Sequence, residues 1–179
     1  MKYDPQIHHR RSIRLRGYDY SQPGAYFVTT VVQTRENLLG QVVNGQMGLN
    51  QPGRMVEKWW RELGKKFSGV TPADFVIMPN HFHGIIEIDV FPPSQGGPGQ
   101  PQKSTGLAEI VQWFKTMTTN EYMRGVKELG WQPFAGRLWQ RNYYEHIIRG
   151  MDEWEDICQY IQGNPENWTE DQLNQPPQR

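Results

Sequence analysis

The order in which two hydrophobic periods alternate along this chain constrains its fold more than any single residue. Residues 25–34 (AYFVTTVVQT) are aromatic and β-branched and predict a first, central strand. Residues 38–43 and 46–49 flank Asn44-Gly45, a pair suited to a tight hairpin turn. Asn50 then suits the cap of a helix whose Met55, Val56, Trp59, Trp60, Leu63 and Phe67 recur near helical spacing. Residues 73–78 read as a second strand, stopped by Pro79-Asn80, and residues 81–90 (HFHGIIEIDV) as a third. After a loop over 91–104 with four Pro and three Gly, a helix is expected over 105–129, with Leu107, Ile110, Val111 and Phe114 on one face. Residues 137–148 (RLWQRNYYEHII) predict a fourth strand. A last helix over 152–162 ends at Gly163-Asn164-Pro165. The β-α-β-β-α-β core implies an α+β, ferredoxin-like (RRM-like) antiparallel sheet with both helices on one face, plus a C-terminal helix.

Composition narrows the class. A chain of 179 residues fits one domain with a real core, and 12% aromatic content, with seven Trp and eight Tyr, argues against disorder. We expect a basic arm over 1–17, one domain over 18–165 and a polar, acidic, loose tail over 166–179. No stretch approaches the roughly 18 apolar residues of a membrane span, and the N-terminus lacks the apolar run of a secretory signal. Cys158 is the only cysteine, so a reducing cytoplasm is the expected location. The zero net charge hides an asymmetry. Residues 151–179 hold seven acids against Arg179 alone, leaving 18 basic and 12 acidic residues before them. Such a surplus suits a nucleic-acid partner. Arg10, Arg11, Arg14 and Arg16 in the arm, with Lys115 and Arg141 nearer the site, are the candidate DNA contacts.

The chemistry-bearing residues sit at two places. Side chains alternate along a strand, so His81 and His83 share one face while Phe82 points to the helix layer. Two imidazoles on one open sheet face can hold a divalent ion. On the last helix, Trp154, Ile157, Cys158 and Ile161 form the packing stripe, and Tyr160 lies roughly 120° from its centre at 100° per residue. Asn164, four residues on, shares Tyr160's side. A phenol beside an amide oxygen near a metal makes a nucleophile and ligand pair. A pair of surface histidines, a surface tyrosine and a helix-ending Asn-Pro would read the same. Glu87 shares the parity of the histidines and would serve a water-activating nuclease instead. The fold and aromatic content also suit a non-catalytic RRM-like nucleic-acid module. Tyr143 and Tyr144 are rival tyrosines, read as packing or base-stacking residues.

Four blocks carry a family resemblance: YFVTT at 26–30, VIMPNHFHG at 76–84, LWQRNYYEH at 138–146 and YIQGNP at 160–165. From about Arg14 to Pro165 the chain resembles the REP-associated tyrosine transposases (RAYTs), single-tyrosine HUH enzymes. The resemblance implies His81 and His83 as metal ligands and Tyr160 as the nucleophile. Asn164 falls where related enzymes place a third ligand, more often a glutamine. It further implies Mg²⁺ or Mn²⁺, single-stranded REP-type DNA hairpins as partners, and a 5′-phosphotyrosine intermediate with a free 3′-OH. Monomer and homodimer both fit, as do transposition and a domesticated role in processing repeats.

Overall fold

The expected core order is realised. Strand β1 (Gly24–Val31) is buried from Tyr26 onward. The computed structural model describes residues 17–89 and 105–174; Arg10, Arg11, Arg14 and Arg16, and the whole 91–104 loop, lie outside the described residues. Strands β2 (Gly40–Val43) and β3 (Gln46–Leu49) form the expected hairpin. Asn44 and Gly45 take φ of 52° and 73°, the double positive φ of a primed turn. Helix α1 (Gln51–Arg61) starts where Asn50 Oδ1 accepts the Gly53 N–H at 2.9 Å, and a single turn, α2 (Leu63–Lys66), extends it.

Strands β4 (Val70–Ile77) and β5 (His81–Ile88), helix α3 (Leu107–Leu129), strand β6 (Tyr144–Ile148) and helix α4 (Met151–Gly163) follow. The sheet order is β4-β5-β1-β6, with every pairing antiparallel. This is the α+β order that the sequence implied. Register fixes the two faces. Val28 pairs with Gly84 and Thr30 with Phe82, while Thr29 pairs with His83 and Val31 with His81. Tyr26, Val28, Phe82 and Ile86 pack with α1 and α3 into the main core. There Trp60 lies 4.6 Å from Phe82 and 5.6 Å from Phe114, centroid to centroid. Gly84 leaves the indole its space, since a Cβ there would meet Trp60 at 2.6 Å.

Three expectations need correction. The fourth strand is shorter than residues 137–148, because the carbonyls of Gln140 and Arg141 turn to the Lys115 ammonium at 2.6 and 3.1 Å. Only the Val32–Trp139 bridge pairs that stretch with the end of β1. The histidine face is not open. Phe27, Ile85 and Ile148 on that face meet Ile157 and Ile161 of α4 in a second apolar cluster. Finally, the described part of the tail is not loose. It folds into 3₁₀ turns at Trp168–Glu170 and Gln172–Asn174, and Trp168 is buried. One large apolar side chain in an otherwise polar stretch suffices to dock it.

Candidate active site

The site lies under α4, on the face opposite the main core. His81 is fully buried and His83 nearly so, with ring centroids 4.6 Å apart. Each Nδ1 is engaged. Asn80 Nδ2 donates to the carbonyls of Arg35 (2.9 Å) and Leu173 (2.7 Å), so its Oδ1 faces His81. That oxygen can only accept, so His81 Nδ1 donates to it, at 2.9 Å, and Nε2 carries the lone pair. Thr29 Oγ1 holds His83 Nδ1 at 2.7 Å. The His83 ring also stacks on Phe27 at 5.4 Å. Burial lowers the His81 pKa to about 3, against the opposing effect of Asn164. Burial, and then His81 beside it, holds His83 well below its ordinary value. Both imidazoles are therefore neutral, the form that binds metals.

Helix α4 brings the second half. Tyr160 packs edge-on against Phe27, and its Oη lies 3.3 Å from His83 Nε2. Asn164 follows one turn later, buried, with Oδ1 unpaired. Burial pushes the Tyr160 phenol up to about 12, which the Asn164 amide partly offsets. The four residues singled out from sequence, His81, His83, Tyr160 and Asn164, thus meet in one place.

The donor set fits a divalent cation. His81 Nε2 and Asn164 Oδ1 are buried acceptors with no hydrogen-bond partner, and a buried lone pair without a donor is costly unless a cation meets it. Among the described residues no three His, Cys, Asp or Glu side chains converge as a metal cluster. An amide or water would therefore share the shell.

No protein-family model matches the chain. Over 181 residues it is 42% identical to an uncharacterized protein of Haemophilus influenzae, spanning 96% of this chain and 97% of that one. The two belong to one family. A second Haemophilus influenzae protein, named "Putative REP-associated tyrosine transposase", is 23% identical over 154 residues, 82% of this chain and 73% of that one. A solved REP-associated tyrosine transposase bound to a REP hairpin matches with a TM-score of 0.58 at 17% identity, covering 86% of this chain and 72% of that one. The α+β fold is thus shared with that solved transposase, and the chain resembles the REP-associated tyrosine transposases.

Other candidates fall elsewhere. Glu87 lies four residues beyond His83 on β5, about 13 Å at strand rise. Tyr143 packs against the main core, whereas Tyr144 is 43% exposed. Arg141 is exposed, while Lys115 is half-buried and spends its ammonium on backbone carbonyls. Burial and then Arg137 lower the Lys115 pKa to about 8. Sequence reasoning missed Thr29, Asn80 and Trp168. Thr29 shares the parity of Phe27, a signal available once the register is known. The other two carry no periodicity that points at the histidines.

Proposed function

We propose that the chain is a metal-dependent, single-strand DNA endonuclease and strand transferase. Tyr160 is its nucleophile, and His81, His83 and Asn164 bind Mg²⁺ or Mn²⁺. The observation that carries this reading is the convergence of the Tyr160 phenol on His83 Nε2 beside two unpaired buried acceptors. A divalent cation bound there polarises a phosphodiester and orients it for attack. Asn80 fixes the tautomer of His81, and Asn80 and Thr29 hold the two imidazoles in the direction that this binding needs.

Tyr160 Oη forms a bond to phosphorus as the bond to the 3′-oxygen breaks. The phenolic proton is balanced by the free 3′-OH, and the 5′ end stays as a phosphotyrosine. The phosphodiester energy is kept in that bond, so a later 3′-OH can attack it and rejoin strands. Apolar packing of the ring on Phe27 keeps the phenol neutral until the reaction. The relatives point to REP-type hairpins as the DNA, for transposition or repeat processing, with the arginines of the N-terminal arm and Arg141 on its phosphates.

The test uses a labelled single-stranded REP-like hairpin with Mg²⁺ or Mn²⁺. Wild type should leave a protein–DNA species that survives boiling in detergent, and mass spectrometry should place the nucleotide on Tyr160. Tyr160→Phe should bind the hairpin yet give neither cut strand nor adduct. Cleavage by that variant with no adduct would favour a water-activating nuclease. Undiminished cleavage in excess chelator would overturn the metal assignment.

A further inference from the structure

We infer that residues 137–144, with Lys115 beneath them, form a subsite for the single-stranded DNA that flanks the cleavage point, where Arg137 and Arg141 hold a phosphate and Tyr144 stacks a base. This inference rests on the DNA-cleaving reading above and says where the strand leaves the site. Leu138 and Trp139 are buried and anchor the stretch, and Trp139 Nε1 donates to Thr118 Oγ1 at 2.8 Å. Lys115 Nζ donates to the Gln140 and Arg141 carbonyls at 2.6 and 3.1 Å, which fixes the turn that follows. The side chains left exposed by this anchoring include Arg137, Arg141 and Tyr144.

Register puts this stretch beside the histidines. The Gln140 N–H donates to the Val31 carbonyl at 2.8 Å, and Val31 pairs with His81. Thr29 pairs with His83 on one side and with Tyr144 on the other, so Tyr144 stands on the histidine face. Gln140 and His81, like Tyr144 and His83, are thus two interstrand spacings apart, about 10 Å. A phosphate held by the arginines is therefore a flanking one, not the one that Tyr160 attacks.

The cations at this edge lack the carboxylates that neutralise others on the surface. Lys58, Arg61, Lys65 and Arg124 are each paired with a glutamate. Among the described residues, Lys115, Arg137 and Arg141 belong to no ion pair. Arg137 lies close enough to Lys115 to add to the effect of burial on that ammonium. Like charges held together in this way repel until an anion joins them. The β4 edge of the sheet presents Asp74 and Glu155 around Cys158 instead, and these repel a phosphate. An exposed ring beside unpaired cations is the combination that binds single strands, the ring taking a base and the cations its backbone.

The test is fluorescence anisotropy of the full-length protein in EDTA, where nothing is cut, across a salt series. The probes are a labelled REP-like hairpin with single-stranded flanks and the same hairpin without them. Arg137→Gln combined with Arg141→Gln should weaken binding of the flanked hairpin and flatten its log–log salt slope by about 0.7, the value of one single-strand phosphate. Tyr144→Ala should weaken it roughly 5- to 150-fold, the range for one stacked base, while Tyr144→Phe binds as wild type does. Neither change should alter binding of the flankless hairpin. Lys66→Gln combined with Lys127→Gln, an equal loss of charge on α2 and α3, should leave both slopes alone. An unchanged slope in the double arginine variant, or an equal change in the double lysine one, would overturn the inference and leave the proposed function standing. Equal losses on the two hairpins would also overturn it, because the contact would then be to duplex. Failure of wild type to bind either hairpin would overturn both. Absence of a Tyr160 adduct from wild type with Mg²⁺ would sink the cleavage reading alone, since the slopes are measured without cleavage.

Discussion

Removing the Asn80 side chain tests the site's architecture in one step. Asn80→Ala deletes three hydrogen bonds: two donated to the Arg35 and Leu173 carbonyls and one accepted from His81 Nδ1. A buried polar group left unpaired costs about 1–3 kcal/mol. The two carbonyls lie on half-exposed segments that water can reach, so each falls at the low end, while the buried imidazole N–H falls at the high end. The sum is roughly 3–5 kcal/mol, and at about 2–4 °C per kcal/mol for a domain of this size the melting temperature should fall by roughly 10 °C. His81, freed to rotate, should lose about 10- to 100-fold in metal affinity. Asn80→Asp separates the two effects. Its carboxylate still accepts from His81 Nδ1, but it faces two carbonyls without a donor. It should be at least as destabilised as Asn80→Ala in EDTA melts, yet lose less Mn²⁺ affinity by isothermal titration. If affinity instead tracked stability across both variants, the claim that Asn80 orients the imidazole would fail.

Other expectations follow from the same geometry. In EDTA the neutral buried histidines should make stability pH-dependent. Their folded pKa values lie below the ordinary 6.5, that of His81 at about 3, so the unfolded chain binds protons the folded one does not. Stability is then full above pH 6.5 and declines as pH falls towards 3, by about 1.4 kcal/mol per pH unit per histidine. Urea unfolding at pH 7.5 and 5.5 measures this, and equal midpoints would refute it. Gly84→Ala should destabilise the main core by about 1–3 kcal/mol through overpacking against Trp60, read as a lower urea midpoint; an unchanged midpoint would mean that the indole moves aside freely. Tyr144 pairs with Thr29 on the row that also holds His83, and its ring is exposed. Tyr144→Ala should therefore weaken single-strand binding by about 1–3 kcal/mol, the value of one stacked base, while Tyr144→Phe should not; fluorescence anisotropy distinguishes them.

The sequence disclosed those parts of the molecule whose signal is local. Asn44-Gly45, the Asn50 cap and the apolar stripes mark the elements, and parity along β5 puts His81 and His83 on one side. Tyr160 and Asn164 share a helical face, so both halves of the site were visible separately. What brings the halves together was not. The helix that covers the histidine face does so through Ile157 and Ile161 against Phe27 and Ile85, a tertiary contact that periodicity cannot assign to either face of a sheet. Asn80 reads as a turn residue, and its role appears only when Leu173 arrives from 93 positions away. Trp168 sits in a polar stretch with no repeat, where composition suggests solvent. Residues 137–148 look like one strand because β-propensity cannot foresee that a lysine will claim two of their carbonyls.

The sheet order β4-β5-β1-β6 has a kinetic consequence. Strand β5 is hydrogen-bonded along both edges, so its amides exchange with solvent only when the sheet itself comes apart. Helix α4 rests on a small apolar cluster and the His146–Glu153 contact near its start. It is therefore expected to open at lower free energy than the sheet. The imidazoles therefore belong to the slowest-exchanging part of the molecule, whereas Tyr160 and Asn164 travel together on α4; in the proposed reaction the phenol and the amide would move as one while the two histidines stay still.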